Sequence, residues 1–90
     1  MNLIGNNIQS EIYNIIPCVL IDYLCELVKK SGTMELITLI PSKLGFGAVQ
    51  EIICETASGT IMKRVFGFVP VSTQLEVLRN GDHFDMMLAV

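Results

Sequence analysis

Gln74-Leu75-Glu76-Val77-Leu78-Arg79-Asn80-Gly81-Asp82-His83-Phe84-Asp85-Met86-Met87-Leu88-Ala89 decides the fold class. Asn-Gly is the dipeptide that best tolerates positive φ at both centres of a two-residue turn. Gln74 to Arg79 and Asp82 to Ala89 therefore read as the arms of a β-hairpin. In that register Leu75, Val77, Phe84 and Met86 share one face, while Glu76, Leu78, His83 and Asp85 share the other. One apolar and one mixed face is the pattern of an antiparallel sheet laid on a core from one side.

Moving toward the N-terminus, two runs of strand-forming residues, Ala48 to Ala57 and Thr60 to Val69, meet at Ser58-Gly59 and read as a second hairpin. A three-residue loop is preferred there, because it opposes Glu55 to Lys63, Ile53 to Val65 and Ile52 to Phe66. A two-residue loop would set Ile53 against Arg64. Met34 to Ile40 reads as a mostly buried strand stopped by Pro41, with Pro41 to Gly47 as a loop.

The chain changes period before Gly32. Leu20, Tyr23, Leu24, Leu27 and Val28 recur at three- and four-residue spacings, which builds one apolar helical face over Pro17 to Lys30. Pro17 suits the first helical position, where a missing N–H costs nothing. Lys29 and Lys30 oppose the negative end of the helix dipole, and Gly32 can close the helix in the left-handed conformation. Ile8 to Ile16 fits a helix or a strand, and periodicity does not separate the two. The expected architecture is α+β: one domain over residues 1–90, with an antiparallel sheet of four to six strands, including two hairpins, packed against one main amphipathic helix.

Composition bounds the function. The 90 residues are 51% hydrophobic and 17% charged, and the mean hydropathy is +0.55. A chain this short buries only about 60–65% of the surface of its unfolded form. The apolar excess points to a second copy as one cover for it, so a homodimer is among the expected partners. The net charge of −3 argues against general nucleic-acid binding, which draws on phosphate neutralisation by Lys and Arg. The longest apolar run, Ile15 to Ile21, holds seven residues against the roughly 18 a bilayer span needs, so no membrane span is expected. Met1 to Asn7 carries no basic residue and no long apolar stretch, unlike a secretory signal, and a cytoplasmic location is expected. Cys18, Cys25 and Cys54 form no Cys-x-x-Cys pair and are expected to stay free thiols.

Three short motifs occur in order: Ile16-Pro17 opening a helix with Leu20 and Leu27, Gln50 with Ile52 and Ile53, and Gly81-Asp82-His83 with Met86, Met87 and Leu88. With these the chain resembles, from Ile16 to Ala89, a family of Gram-positive bacteria and their phages catalogued as domain of unknown function number 960. It departs from the family pattern at Cys25, where relatives tend to carry Trp, and at Cys54, where they tend to carry His. Phe84 and Asp85 replace small hydroxyl residues, which makes the chain a divergent member. The resemblance implies a fold and a phage or Gram-positive setting; it transfers no catalytic residue.

The chemistry-bearing residues concentrate at the end of the chain. Asp82, His83 and Asp85 suggest a general base, since a carboxylate beside imidazole fixes its tautomer and raises its basicity. Adjacent strand residues point to opposite faces, however, and Asp82 has a plainer role in neutralising Arg79 or capping the turn. Glu76 opposite Asp85, with His83 on the same face, would give two carboxylates and an imidazole toward a divalent cation. Cys18 and Cys25 are seven residues apart, about 10 Å along a helix, too far to share one zinc ion. Gly45-Phe46-Gly47 precedes a strand rather than the helix N-terminus a phosphate loop requires. Phe46 between two glycines reads as a protein-binding anchor or a lid on the core.

The sequence is thus expected to encode a protein-interaction module, an adaptor or inhibitor, with no cofactor and no resident metal. The alternative is a small metal-dependent enzyme centred on His83, Glu76 and Asp85.

Overall fold

The computed structural model describes residues 7–31, 34–45, 47–67, 69–81 and 83–89. In chain order the elements are β1 (Asn7–Ile8), α1 (Ile12–Ile15), α2 (Cys18–Ser31), β2 (Met34–Leu44), β3 (Gly47–Thr56), β4 (Gly59–Val65), β5 (Thr73–Asn80) and β6 (His83–Leu88). The strands form one sheet in the order β1-β6-β5-β2-β3-β4. Five of them are antiparallel neighbours, and one main helix packs on the sheet, so the α+β expectation holds.

The helix forms where the apolar spacing places it. Leu20, Leu24 and Val28 are fully buried along one face of α2, with Ile21 and Cys25 beside them. Its first residue is Cys18, one later than the sequence suggests. Pro17 sits at the cap and its carbonyl accepts the Ile21 N–H at 3.0 Å. Gly32 lies outside the described residues.

The ambiguous stretch before α2 is both a strand and a helix. Asn7–Ile8 pairs with Asp85–Met86 in parallel, the only parallel contact among the described strands, and Ile12–Ile15 makes a single helical turn. The Gln9 N–H donates to the Met86 carbonyl at 2.9 Å. The Gln9 side-chain oxygen accepts the Leu88 N–H at 2.8 Å, so one residue extends the pairing past the end of β1.

β2 is longer than expected, for Pro41 does not stop it. Its pairing with β5 ends at Leu39 while pairing with β3 runs on to Leu44 opposite Gly47. Beyond Leu39 the strand has a single ladder, and a residue without an N–H can face the unpaired side. The loop expected over residues 41–47 contracts to the link between paired Leu44 and Gly47, with Gly45 at φ 64.

Strands β2, β3 and β4 form a meander, and β5 then returns beside β2, which makes a Greek key. The connection over residues 66–72 must cross from one side of β3 to the far side of β2, and one buried side chain holds it there. Gln50, 1% exposed, accepts the Val71 N–H at 2.7 Å and donates to the Val71 carbonyl at 3.1 Å. Its amide also reaches the Ile40 and Glu51 carbonyls at 3.3 and 3.2 Å. A side chain here does the work of a strand partner.

Both other hairpin registers differ from the expected ones. β3 and β4 join through Ala57-Ser58, placing Thr56 opposite Gly59, Ile53 opposite Met62 and Glu51 opposite Arg64. The Thr56 hydroxyl accepts the Ser58 N–H at 3.2 Å and donates to the Gly59 carbonyl at 2.9 Å, which fixes the turn. Glu55 therefore faces Thr60, not Lys63. At the last hairpin Asn80 pairs with His83, so the turn falls between them, with Gly81 at φ 67. Because the shift is two residues, the faces survive: Leu75, Val77, Phe84 and Met86 are all buried as expected.

Candidate functional site

In the closing hairpin the register rearranges the chemistry-bearing side chains. Asp85 stands opposite Leu78 and Glu76 opposite Met87, so the facing pair of carboxylates expected from the sequence is not formed. Glu76, Asp85 and His83 do share the face turned away from the helices. Among the described residues no group of three His, Cys, Asp or Glu side chains converges as metal ligands would. Asp82 lies outside the described residues, as does Phe46. A shallow groove beside Asp85 is walled by Ile8, Gln9, Met86 and Met87, and His83 is not among its walls.

Arg79 takes a structural role. It pairs with Phe84 on the helix-facing side of the sheet, and its guanidinium donates to the Val28 carbonyl near the end of α2. A cation there satisfies an acceptor in the last turns and opposes the helix dipole.

The thiols divide by burial. Cys18 is exposed, whereas Cys25 and Cys54 are buried, and all three are free. Burial pushes the Cys25 thiol above its ordinary value of 9.0; Asp22 and Glu26 push the same way and Lys29 opposes them. Burial likewise raises Cys54, against the pull of Lys63. Both are poor nucleophiles at neutral pH.

At the opposite edge of the sheet lies β4. No described strand pairs with its outer side, and its residues are exposed except for half-buried Val65. Exposed apolar side chains nevertheless occur on this strand and just after it: Ile61 and Met62 are 40 and 53% exposed, and Phe66 and Val69 are 60 and 80% exposed. Ile61 points to the helix side, level with Cys54, and Met62 points to the opposite side, level with Ile53. α2 stops short of this edge. Between Leu27, Lys30 and Ser31 of the helix and Met34, Cys54, Ile61 and Lys63 of the sheet lies a groove of about 230 Å³.

The edge also has a definable hydrogen-bonding pattern. A two-residue turn makes Thr56 and Gly59 a hydrogen-bonded pair, and such pairs alternate along an antiparallel ladder. Ile61, Lys63 and Val65 therefore bond to β3, while Thr60, Met62 and Arg64 turn their N–H and C=O groups outward. The signal in the sequence was a strand with apolar residues on both faces beside Lys63 and Arg64, a combination suited to an edge. Spacing alone makes the same run one arm of a hairpin and leaves the edge unmarked.

No family model matches this chain, and neither a curated protein nor a solved structure matches it.

Proposed function

We propose that this chain is a small cytoplasmic protein-interaction module, an adaptor or inhibitor, that docks other polypeptides on the free edge of β4. The observation that carries this reading is the conjunction of an unpaired strand edge with exposed Ile61, Met62, Phe66 and Val69. Strand addition draws affinity from backbone hydrogen bonds and specificity from alternate side chains, and this edge supplies both. The resemblance to the Gram-positive and phage family of unknown function is compatible with such a role and adds no chemistry to it. The competing metal-enzyme reading loses the facing carboxylates it was built on.

Met62→Pro provides the test. The Met62 N–H points away from β3, so proline there removes an outward donor without removing a bond of the β3 ladder. Tagged wild-type chain and the folded variant are compared by affinity capture from the native host. A partner held by the wild type and lost by Met62→Pro is the expected result. Equal capture by both would move the docking site elsewhere, and capture of nothing by the wild type would count against the module.

A further inference from the structure

Resting on the reading of β4 as a docking edge, we infer that one occupant of this edge is a second copy of the chain, paired antiparallel about a two-fold axis through Met62. The argument is one of register. Only Thr60, Met62 and Arg64 present outward backbone groups, so an isologous pairing is limited to a few centres. Centring on Met62 sets Met62 against its own copy and Thr60 against Arg64 in both directions. That uses all three outward residues in pairs that each exchange two hydrogen bonds.

The neighbouring centres are worse for stated reasons. A centre on Lys63 or Arg64 opposes like charges directly, which destabilises a ladder. A centre on Ile61 leaves Arg64 outside the pairing, and a centre on Thr60 leaves out both Met62 and Arg64. With Met62 on the axis, Ile61 faces Lys63 of the other copy and no two like charges stand directly opposite. Glu51 already neutralises Arg64 at 3.1 Å from within the same chain. The β3–β4 ladder runs without a bulge from Gly59 to Val65, so the edge is regular enough to pair along its length, about 24 Å for seven residues. On the helix side the groove lined by Ile61 and Lys63 would join its symmetry mate across the seam.

The interface is narrow, of the class that gives weak, concentration-dependent association. Light scattering over a dilution series is expected to show mass rising from 9.9 kDa toward twice that value. Met62→Glu, which sets two carboxylates across the axis on an exposed site, is expected to raise the dissociation constant at least tenfold while circular dichroism stays unchanged. In a Cys18→Ser background, Met62→Cys is expected to give a reducible crosslinked dimer on mild oxidation, because hydrogen-bonded partners have Cα atoms about 5.5 Å apart, within disulfide reach. Thr60→Cys, whose counterpart is Arg64, is expected to crosslink far less.

A wild-type mass that stays monomeric at every concentration overturns the proposal, as does a dimer indifferent to Met62→Glu. Equal crosslinking by Thr60→Cys and Met62→Cys overturns the register. A monomer that still captures a host partner through β4 would defeat the dimer and leave the docking edge standing, so the two failures are distinguishable.

Discussion

Gln50 shows how one side chain can carry topology. Its amide bonds to both the N–H and the C=O of Val71, which pins the long crossing between β4 and β5 onto the sheet. Truncating it strands a donor and an acceptor in a site where Gln50 itself is 1% exposed. Gln50→Ala is expected to cost about 2–4 kcal/mol in urea unfolding, from one or two unsatisfied buried groups and the space left behind. Gln50→Glu should not rescue it, since a carboxylate can accept from Val71 but cannot donate to its carbonyl. The thiols give a second prediction at this scale. A disulfide-exchange reagent at neutral pH should label Cys18 rapidly and Cys25 and Cys54 only on unfolding. Their raised values also set a pH dependence. Below the ordinary value of 9.0 the two buried thiols are protonated in both states and cost nothing. Above it the unfolded chain ionises first, so stability falls as pH rises toward the folded-state values.

At the scale of elements, the helix and the inward face of the last hairpin were legible, and the registers were not. Leu20, Tyr23, Leu24, Leu27 and Val28 mix three- and four-residue spacings, which put them on one face of a helix but not of a strand, and Leu20, Leu24 and Val28 are fully buried. Leu75, Val77, Phe84 and Met86 lie on the face that the alternation predicts, although the turn falls one residue later than Asn80-Gly81 suggests. Side chains alternate with a period of two, so a register error of two residues preserves faces and changes partners. That change is what separated Glu76 from Asp85. The β3–β4 hairpin failed differently. Its error was three residues, an odd number, and β4 has no fully buried side chain to announce which face is inward. Pro41 misled because a proline stops a strand only where both sides are paired, and pairing partners are not written in a local sequence. The helix also depends on the hairpin through Arg79, whose donor reaches Val28. Arg79→Met keeps the stem and removes the charge; it is expected to cost about 1–2 kcal/mol and to speed amide exchange in the last turn of α2. Gly81→Ala, at φ 67, is expected to cost about 1 kcal/mol by forcing a Cβ into the left-handed region.

Across the whole molecule, one cluster of the described residues from Ile12 to Met86 joins both helices to β2, β3, β5 and β6, with half-buried Ile8 of β1 and Val65 of β4 packed against its margin. Global stability should therefore be sensitive to Leu24→Ala, by about 2–5 kcal/mol, against a total of roughly 5–13 kcal/mol for a chain of this size. Ile61→Ala and Met62→Ala, out on the rim, should change unfolding by no more than about 0.5 kcal/mol. None of the described helices is long and apolar enough to cross a membrane. Gln9→Ala should accelerate hydrogen exchange at Leu88 while leaving Ile37 protected, because Gln9 holds only the seam between β1 and β6.

That seam ties residues 7–9 to residues 85–88, which lie far apart in sequence. During synthesis Asn7–Ile8 has no mate until β6 has left the ribosome, so this seam closes after the rest of the sheet has emerged. The nascent chain spends its emergence with Ile8, Ile12 and Ile16 uncovered by β6, an interval in which a holdase could engage them.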